Sequence, residues 1–382
     1  MLTKSIPFNK PYFTGKEHGF ISEVLASGQI GSKGKFTDRC QSFFEERYGF
    51  RKCYLTNSCT NALEMAAMVL ELEPGDEILV PAFTYVSTAN VFESKGLKVV
   101  LIDSGSSPNM DLSLLEAAIT PRTKAIVVMH YSGIACDMFN LLELCQSRKL
   151  WLIEDAATCV DAFYIGVNNL KRALGSFGHV STFSFHHTKN ITSGEGGMLV
   201  VNDPDLISSA DLIWDRGTNR NAFLKGDVSS YNWIGSGGSF APSELISAFL
   251  WAQCLELDFI QTKRKLIWEY YWNAFNNLAN LRDFILPCIP SFASINWHSF
   301  YLIGADKAIS DYLIQEMKRN GIQLARHYQN LGDSPYIKSK KQDFKYPNAQ
   351  HFSENLIRLP LFVGLSEPEL EDMIILIKKV LK

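Results

Sequence analysis

Lys189 stands just beyond a short apolar run, within Phe183–Gly197 (F-S-F-H-H-T-K-N-I-T-S-G-E-G-G), and the glycines after it rule out a continuing helix. Asp155 closes a second apolar run, W-L-I-E-D-A-A. An amine and a carboxylate at the exits of two strands suit pyridoxal phosphate (PLP), whose aldehyde bonds a lysine and whose ring nitrogen seeks an anion. Lys189 would hold the aldehyde, give way to a substrate amine, and then carry a proton between substrate carbon and cofactor. That work needs a lysine that loses its charge through desolvation. Asp155 would pair with the protonated ring nitrogen, while Glu154 should face the other side of its strand because side chains alternate. Taken singly, a loop lysine and a helix-capping aspartate would account for both residues. Their combination carries the reading.

A phosphate site is expected where T-N-S-C-T-N-A-L-E-M-A-A (Thr56–Ala67) passes from a strand into a helix. Backbone N–H groups of Ser58, Cys59 and Thr60 and the hydroxyls of Ser58 and Thr60 gather at that N-terminus, although plain capping by Ser58 or Thr60 uses the same residues. Ser184 could add a hydroxyl. In P-A-F-T-Y-V-S-T-A-N (Pro81–Asn90), Phe83 or Tyr85 offers a ring face to the pyridine, with a core position as the alternative. His130, leaving another strand in H-Y-S-G, is open to a structural role as well as a functional one. The glycine clusters at Gly31–Gly34 and Gly235–Gly238 lack the strand–helix context of a dinucleotide fingerprint and read as loops.

Apolar runs at Glu77–Pro81, Lys98–Ile102, Ala125–Met129, Trp151–Glu154, Ser181–Phe185 and Met198–Val201 alternate with stretches of helical periodicity. The alternation predicts an α/β fold with a mostly parallel sheet covered on both faces, its ligands at the carboxyl ends of the strands. From Ser243 to about Leu278 the sequence predicts one long aromatic-rich helix. A strand in I-N-W-H-S-F-Y-L-I-G, a helix ended by Gly321 and a last helix in P-E-L-E-D-M-I-I-L-I-K-K-V-L follow. The boundary between a large cofactor domain, residues 1–245, and a smaller C-terminal domain, residues 246–382, is placed inside the long helix.

The 382 residues are 46% hydrophobic and 20% charged, ordinary for a globular enzyme. A formal net charge of −3 gives no electrostatic basis for binding nucleic acid or an anionic membrane. No apolar run approaches the ~20 residues of a membrane span, and the first residues lack a signal-peptide core, so a cytoplasmic location is expected. Eight cysteines form no C-x-x-C pair and have no zinc spacing, and no metal is expected.

Together S-C-T-N-A-L-E-M-A-A, P-A-F-T-Y-V-S-T-A-N, E-D-A-A and F-S-F-H-H-T-K-N-I-T-S-G-E-G-G resemble the DegT/DnrJ/EryC1/StrS family of sugar-nucleotide aminotransferases, from I-P-F-N at the start to R-L-P-L-F at Arg358–Phe362. The segments His130–Met138 and Arg216–Arg220 are similar to those of its branch that makes dTDP-4-amino-4,6-dideoxygalactose. The resemblance implies a PLP-dependent type I aminotransferase fold and a homodimer with shared active sites. It further implies transfer from L-glutamate to C4 of dTDP-4-keto-6-deoxyglucose, leaving open the gluco epimer, a C3 ketone and another nucleotide carrier. It maps the cofactor lysine to Lys189, the ring-nitrogen partner to Asp155, the phosphate loop to Cys59 and Thr60, the stacking ring to Tyr85 and a phosphate hydroxyl to Ser184. The retained lysine separates the chain from the sugar dehydratases of the same fold, which carry histidine there. Three positions depart from the family pattern. Thr158 replaces a Gln or His near the cofactor's ring oxygen, Ser239 replaces an Asn that reaches the neighbouring subunit, and Gly332 replaces a His near the substrate.

Overall fold

The computed structural model describes residues 5–276, 283–340 and 344–380. Among these, nine strands precede residue 202: β1 Lys52–Thr56, β2 Glu77–Pro81, β3 Lys98–Ile102, β4 Thr123–Met129, β5 Trp151–Asp155, β6 Phe163–Ile165, β7 Lys171–Ala173, β8 Val180–Ser184 and β9 Gly197–Val201. Seven form one sheet in the order β1-β9-β8-β5-β4-β2-β3, in which only β9 runs against its neighbours. β2, β8 and β9 are buried at every residue, which is why they read as unbroken apolar runs rather than alternating ones. Helices α1 (Glu17–Ser27), α2 (Lys35–Tyr48), α3 (Cys59–Val69) and α4 (Ser87–Ser94) come before and between the first strands. α3 lies against β8 and β9, so its N-terminus arrives where β8 ends.

The long helix expected from Ser243 is two, Glu244–Leu255 and Leu257–Asn276. The chain turns at Glu256, where exposed Leu255 gives way to buried Leu257. No proline or glycine marks the break, so periodicity alone runs through it. Its expected end at Leu278 falls outside the described residues. Between β3 and β4, where the sequence D-L-S-L-L-E-A-A-I has helical periodicity, the chain forms only a 3₁₀ turn, Leu112–Leu114, and one α-helical turn, Leu115–Ala118.

Glu244 fastens this helix pair to the N-terminal region. Its buried carboxylate accepts from the N–H groups of Gly34 (3.0 Å), Phe36 (2.7 Å) and Thr37 (3.0 Å), three orphan donors at the start of α2. Glu244→Ala is therefore expected to destabilise the fold by about 3 kcal/mol or more, since it strands several buried donors at once. Urea denaturation against the wild type measures the loss, and Glu244→Gln should recover part of it.

Five further strands follow: β10 Phe284–Ile285, β11 Ala293–Ser294, β12 Tyr301–Gly304, β13 Ala325–Arg326 and β14 Leu356–Arg358. Four make an antiparallel sheet, β10-β12-β14-β13, and β11 joins β6 and β7. The strand expected over I-N-W-H-S-F-Y-L-I-G begins only at Tyr301. Trp297 is left-handed (φ 53°), and Asn296 turns aside to donate to the carbonyls of Thr158 and Val160, both at 2.7 Å. The second apolar core gathers Tyr271, Phe300, Leu302, Met317 and Met373, with Ile6 from the other end of the chain. No helix among the described residues is long and apolar enough to cross a membrane.

Candidate active site

Gly197 sets the floor of the site. A Cβ there would lie 2.3 Å from the Ser58 carbonyl carbon and 2.4 Å from the Cys59 nitrogen, so β9 lets the start of α3 rest directly on the sheet. This gives the second glycine of E-G-G a spatial reason. Ser58 is the N-cap, its hydroxyl accepting from Asn61 N–H at 3.1 Å. The Thr60 hydroxyl donates to Ser87 at 3.0 Å, leaving the first-turn N–H groups of Cys59 and Thr60, which no intrahelical acceptor can reach, as donors to an anion. Ser184 ends β8 beside them, accepting from His186 N–H at 3.4 Å.

Asp155, the last residue of β5, is buried. Thr88 of α4 donates to its Oδ2 at 2.7 Å and Ala157 N–H to its Oδ1 at 3.1 Å, while Thr84 supports Thr88 at 3.1 Å. Two neutral donors hold the carboxylate, and no cation pairs with it among the described residues. Lys189 lies in the turn after β8, half-buried, and its amine makes no hydrogen bond or ion pair among the described residues. Desolvation pulls its pKa below the usual lysine range, opposed by Cys59 and Asp155 and helped by Arg358. Burial pushes the Cys59 thiol up to about 12, with the Asp155 charge adding, so Cys59 stays protonated and offers its backbone rather than a nucleophile. An unpaired, charge-poor amine, a buried carboxylate lacking a cation and a free helix N-terminus meet in one place, which fits the aldehyde, ring nitrogen and phosphate of PLP.

The aromatic alternatives separate cleanly. Phe83 is fully buried against Tyr131, Tyr328 and Phe352, whereas Tyr85 is 59% exposed at the mouth with its ring 6.2 Å from Tyr328. His130 is structural: its Nδ1 accepts from Cys136 N–H and its Nε2 bonds Glu154, which lies on the face of β5 opposite Asp155 and also accepts three N–H groups from Gly175, Phe177 and Gly178. Thr158 donates to the His130 carbonyl at 3.2 Å, leaving its lone pairs rather than a proton for any neighbour. Ser239 pairs with Asp215 through an isolated bridge, and its carbonyl accepts from Asn57. A Cβ at Gly332 would stand 2.3 Å from the Tyr346 ring, so the tyrosine fills the space a histidine would need.

Arg264, His298, His327 and Arg358 build the wall facing Lys189; His327 opens the segment that ends in Gly332, near the substrate in the family pattern, whereas sequence reading gave no role to Arg264, His298 or Arg358. Arg358 at the end of β14 donates to Nδ1 of His327 and, at 3.3 Å, to Nε2 of His298. Burial first, then the Arg358 charge, holds both imidazoles neutral, His327 at about 3 and His298 well below the ordinary value. Because each would bind a proton near pH 6.5 once unfolded, their contribution is complete above that pH and lost as pH falls toward their folded values. Stability is expected to drop by up to about 1.4 kcal/mol per pH unit for each histidine below pH 6.5. Denaturation midpoints at pH 8, 6 and 5, with His327→Asn as comparison, test the sign.

The sequence signature described as the DegT/DnrJ/EryC1/StrS aminotransferase family matches residues 12–378. GDP-perosamine synthase of Escherichia coli O157:H7 is 33% identical over 372 residues, covering 96% of each chain. Spore coat polysaccharide biosynthesis protein SpsC of Bacillus subtilis (strain 168) is 31% identical over 394 residues, covering 99% of this chain and 97% of its own. Among solved structures, Spr1654 of Streptococcus pneumoniae is known in PLP and PMP forms. The PMP form superposes with a TM-score of 0.90 at 26% identity, over 98% of this chain and 99% of that one. Fold, site chemistry and relatives converge: the chain belongs to the DegT/DnrJ/EryC1/StrS family and is a PLP-dependent sugar aminotransferase of fold type I.

Proposed function

We propose that the enzyme transfers the amino group of L-glutamate to C4 of dTDP-4-keto-6-deoxy-D-glucose, giving dTDP-4-amino-4,6-dideoxy-D-galactose for a surface polysaccharide such as O-antigen. The observation that supports amino transfer is the unpaired Lys189 amine sharing a buried site with the cation-free carboxylate of Asp155. PLP, when bound, supplies an electron sink for the carbon that loses its proton. Lys189, its charge disfavoured by burial, takes that proton from the donor's α-carbon and, once the keto acid has left, delivers one to C4 of the sugar. Asp155 keeps the ring nitrogen protonated, held in place by Thr88 and Ala157 N–H. The N–H groups of Cys59 and Thr60 and the hydroxyl of Ser184 take the phosphate, Tyr85 covers the ring, and Thr158 lies toward the ring oxygen.

In this reading residues 1–245 carry the cofactor and residues 246–382 close the substrate side, in the cytoplasm. Exposed Tyr231, Trp233 and Ile234 support a homodimer with shared sites, since large apolar side chains clustered at a surface favour a partner. A second reading, the same transfer on a GDP-linked ketosugar, is favoured by the GDP-perosamine synthases among the relatives. Purified protein with PLP and L-glutamate would be offered each ketosugar, and the product identified by mass and proton coupling constants. An axial C4 amine on the dTDP sugar supports the first reading, and an equatorial one moves the enzyme to the gluco product. Turnover of a dTDP-linked 3-keto-6-deoxy sugar offered in parallel, in place of the 4-ketone, corrects the ketone position, and turnover of the GDP sugar alone favours the second reading. Failure with both sugars overturns both.

A further inference from the structure

A groove of about 710 Å³ opens at the end of the large sheet opposite the cofactor site. Arg51 enters it just before β1, His179 just before β8, and Asn202 and Asp203 just after the antiparallel β9, so the lining gathers where the parallel strands begin. Arg172 of β7 supplies a second guanidinium. Its plane is fixed, because Nε donates to the Ser176 hydroxyl at 3.0 Å, Nη2 donates to the Ser176 carbonyl at 2.6 Å, and the Phe177 ring lies 4.0 Å away. That leaves Nη1 and one Nη2 hydrogen without an acceptor. No carboxylate pairs with Arg172 or Arg51 among the described residues. His179 adds a third donor. Its Nδ1 accepts from Leu152 N–H at 2.9 Å, so the neutral ring carries its proton on Nε2, which has no partner among the described residues. Burial holds this imidazole below its ordinary pKa, against the pull of Asp203. Asp203 is the one carboxylate in the lining, and its Oδ1 already accepts from Asp205 N–H at 3.0 Å. Two cations and an imidazole N–H thus outnumber a single, partly engaged carboxylate.

We propose that this groove is an effector site for a small phosphorylated molecule, whose phosphoryl oxygens are taken by Arg51, Arg172 and His179. A phosphoryl group presents three oxygens, matching three donors brought from three parts of the chain, whereas a carboxylate presents two. The volume is that of a small-molecule site rather than of a bare ion. The route from the groove to the reaction is short. One wall is the turn at 175–178, tied down by Asn202, whose Nδ2 donates to the Gly175 and Gly178 carbonyls, both at 2.9 Å. The same turn donates three N–H groups to Glu154, the residue before Asp155 on β5. Gly178 has no slack, since a Cβ there would stand 2.8 Å from the Leu152 and Val180 carbonyl oxygens. An anion that draws Arg172 and His179 together therefore moves the turn as a unit, and Glu154 passes the movement to the strand end that holds Asp155.

Calorimetry would measure the affinity of PLP-loaded wild type, R51Q and R51Q/R172Q for inorganic pyrophosphate, with circular dichroism and melting curves as checks of fold. The same three proteins would be read for the single-turnover response to L-glutamate, with and without saturating pyrophosphate. Wild type is expected to bind with a Kd below about 1 mM. R51Q should bind roughly tenfold more weakly and the double variant roughly 100-fold, the scale of one and two charge-assisted contacts. Pyrophosphate should change the wild-type glutamate rate by at least about twofold and leave that of the double variant unchanged. Without pyrophosphate all three should react alike, because neither arginine touches the cofactor site. Equal affinity in the three proteins overturns the groove as the binding place, as does a rate change that survives in the double variant. Groove-dependent binding that leaves the glutamate rate unchanged overturns the effector role. If the double variant does not fold, R51Q decides, since Arg51 makes no hydrogen bond or ion pair among the described residues. Weaker binding by R51Q with normal melting then supports the site, and unchanged affinity overturns it. If wild type does not respond to L-glutamate at all, the donor reading fails while the affinities still judge the groove.

Discussion

Lys189→Ala is expected to reduce amino transfer by at least on the order of 10⁴-fold while leaving the fold intact. The size follows from the two tasks proposed for one amine, holding the cofactor aldehyde and moving a proton in each half-reaction. Neither can pass to a neighbour. Thr158 donates to a backbone carbonyl, Cys59 is held protonated by burial, and the His298 Nε2 lone pair already accepts from Arg358. The structural cost is small, because the amine makes no hydrogen bond or ion pair among the described residues and its burial disfavours the charged form. Melting temperature should therefore hold or rise slightly. Steady-state turnover, thermal melting and the absorbance response to L-glutamate form the test, and activity within tenfold of wild type would remove Lys189 from the mechanism. Arginine in its place should not rescue, since it cannot lose its proton.

The sheet was legible because its strands are continuous aliphatic runs bounded by proline, glycine and polar clusters, and burial on both faces leaves no competing periodicity. The placement of Lys189 and Asp155 at strand exits was legible for a related reason, each lying within a short local segment whose glycines and carboxylates suit such an exit. What lies across the site was not. Asn190, His298 and Arg358 meet over separations of 108 and 60 residues, and nothing in R-L-P-L-F distinguishes Arg358 from a solvent-facing arginine. The break at Glu256 escaped notice because it is made by the turn of Leu257 into the core rather than by a helix breaker. Gly332 is similar. Its reason is the Tyr346 ring, fourteen residues later in the chain, and only the packed structure brings the two together.

Asp155→Asn should lower turnover by on the order of 10³-fold with little change in stability, and the contrast between the two effects is the informative part. Asparagine is nearly isosteric, and its carbonyl can still accept from Ala157 N–H where Oδ1 now does, at 3.1 Å. Its amide would face the Thr88 hydroxyl, which can turn to accept instead of donate. What is lost is the negative charge, the one property needed to keep a ring nitrogen protonated in a buried place. Without it the nitrogen is neutral, electrons are withdrawn less strongly, and the proton at the reacting carbon is harder for Lys189 to remove. The loss should therefore fall on kcat of both half-reactions. Thr88→Val should cost roughly tenfold, because it removes one neutral hydrogen bond to a carboxylate that keeps its charge. Pre-steady-state rates for each half-reaction, with melting curves for each variant, separate these cases. If Asp155→Asn lost stability in proportion to activity, the carboxylate would be a packing element, and Thr88→Val should then destabilise the fold as well.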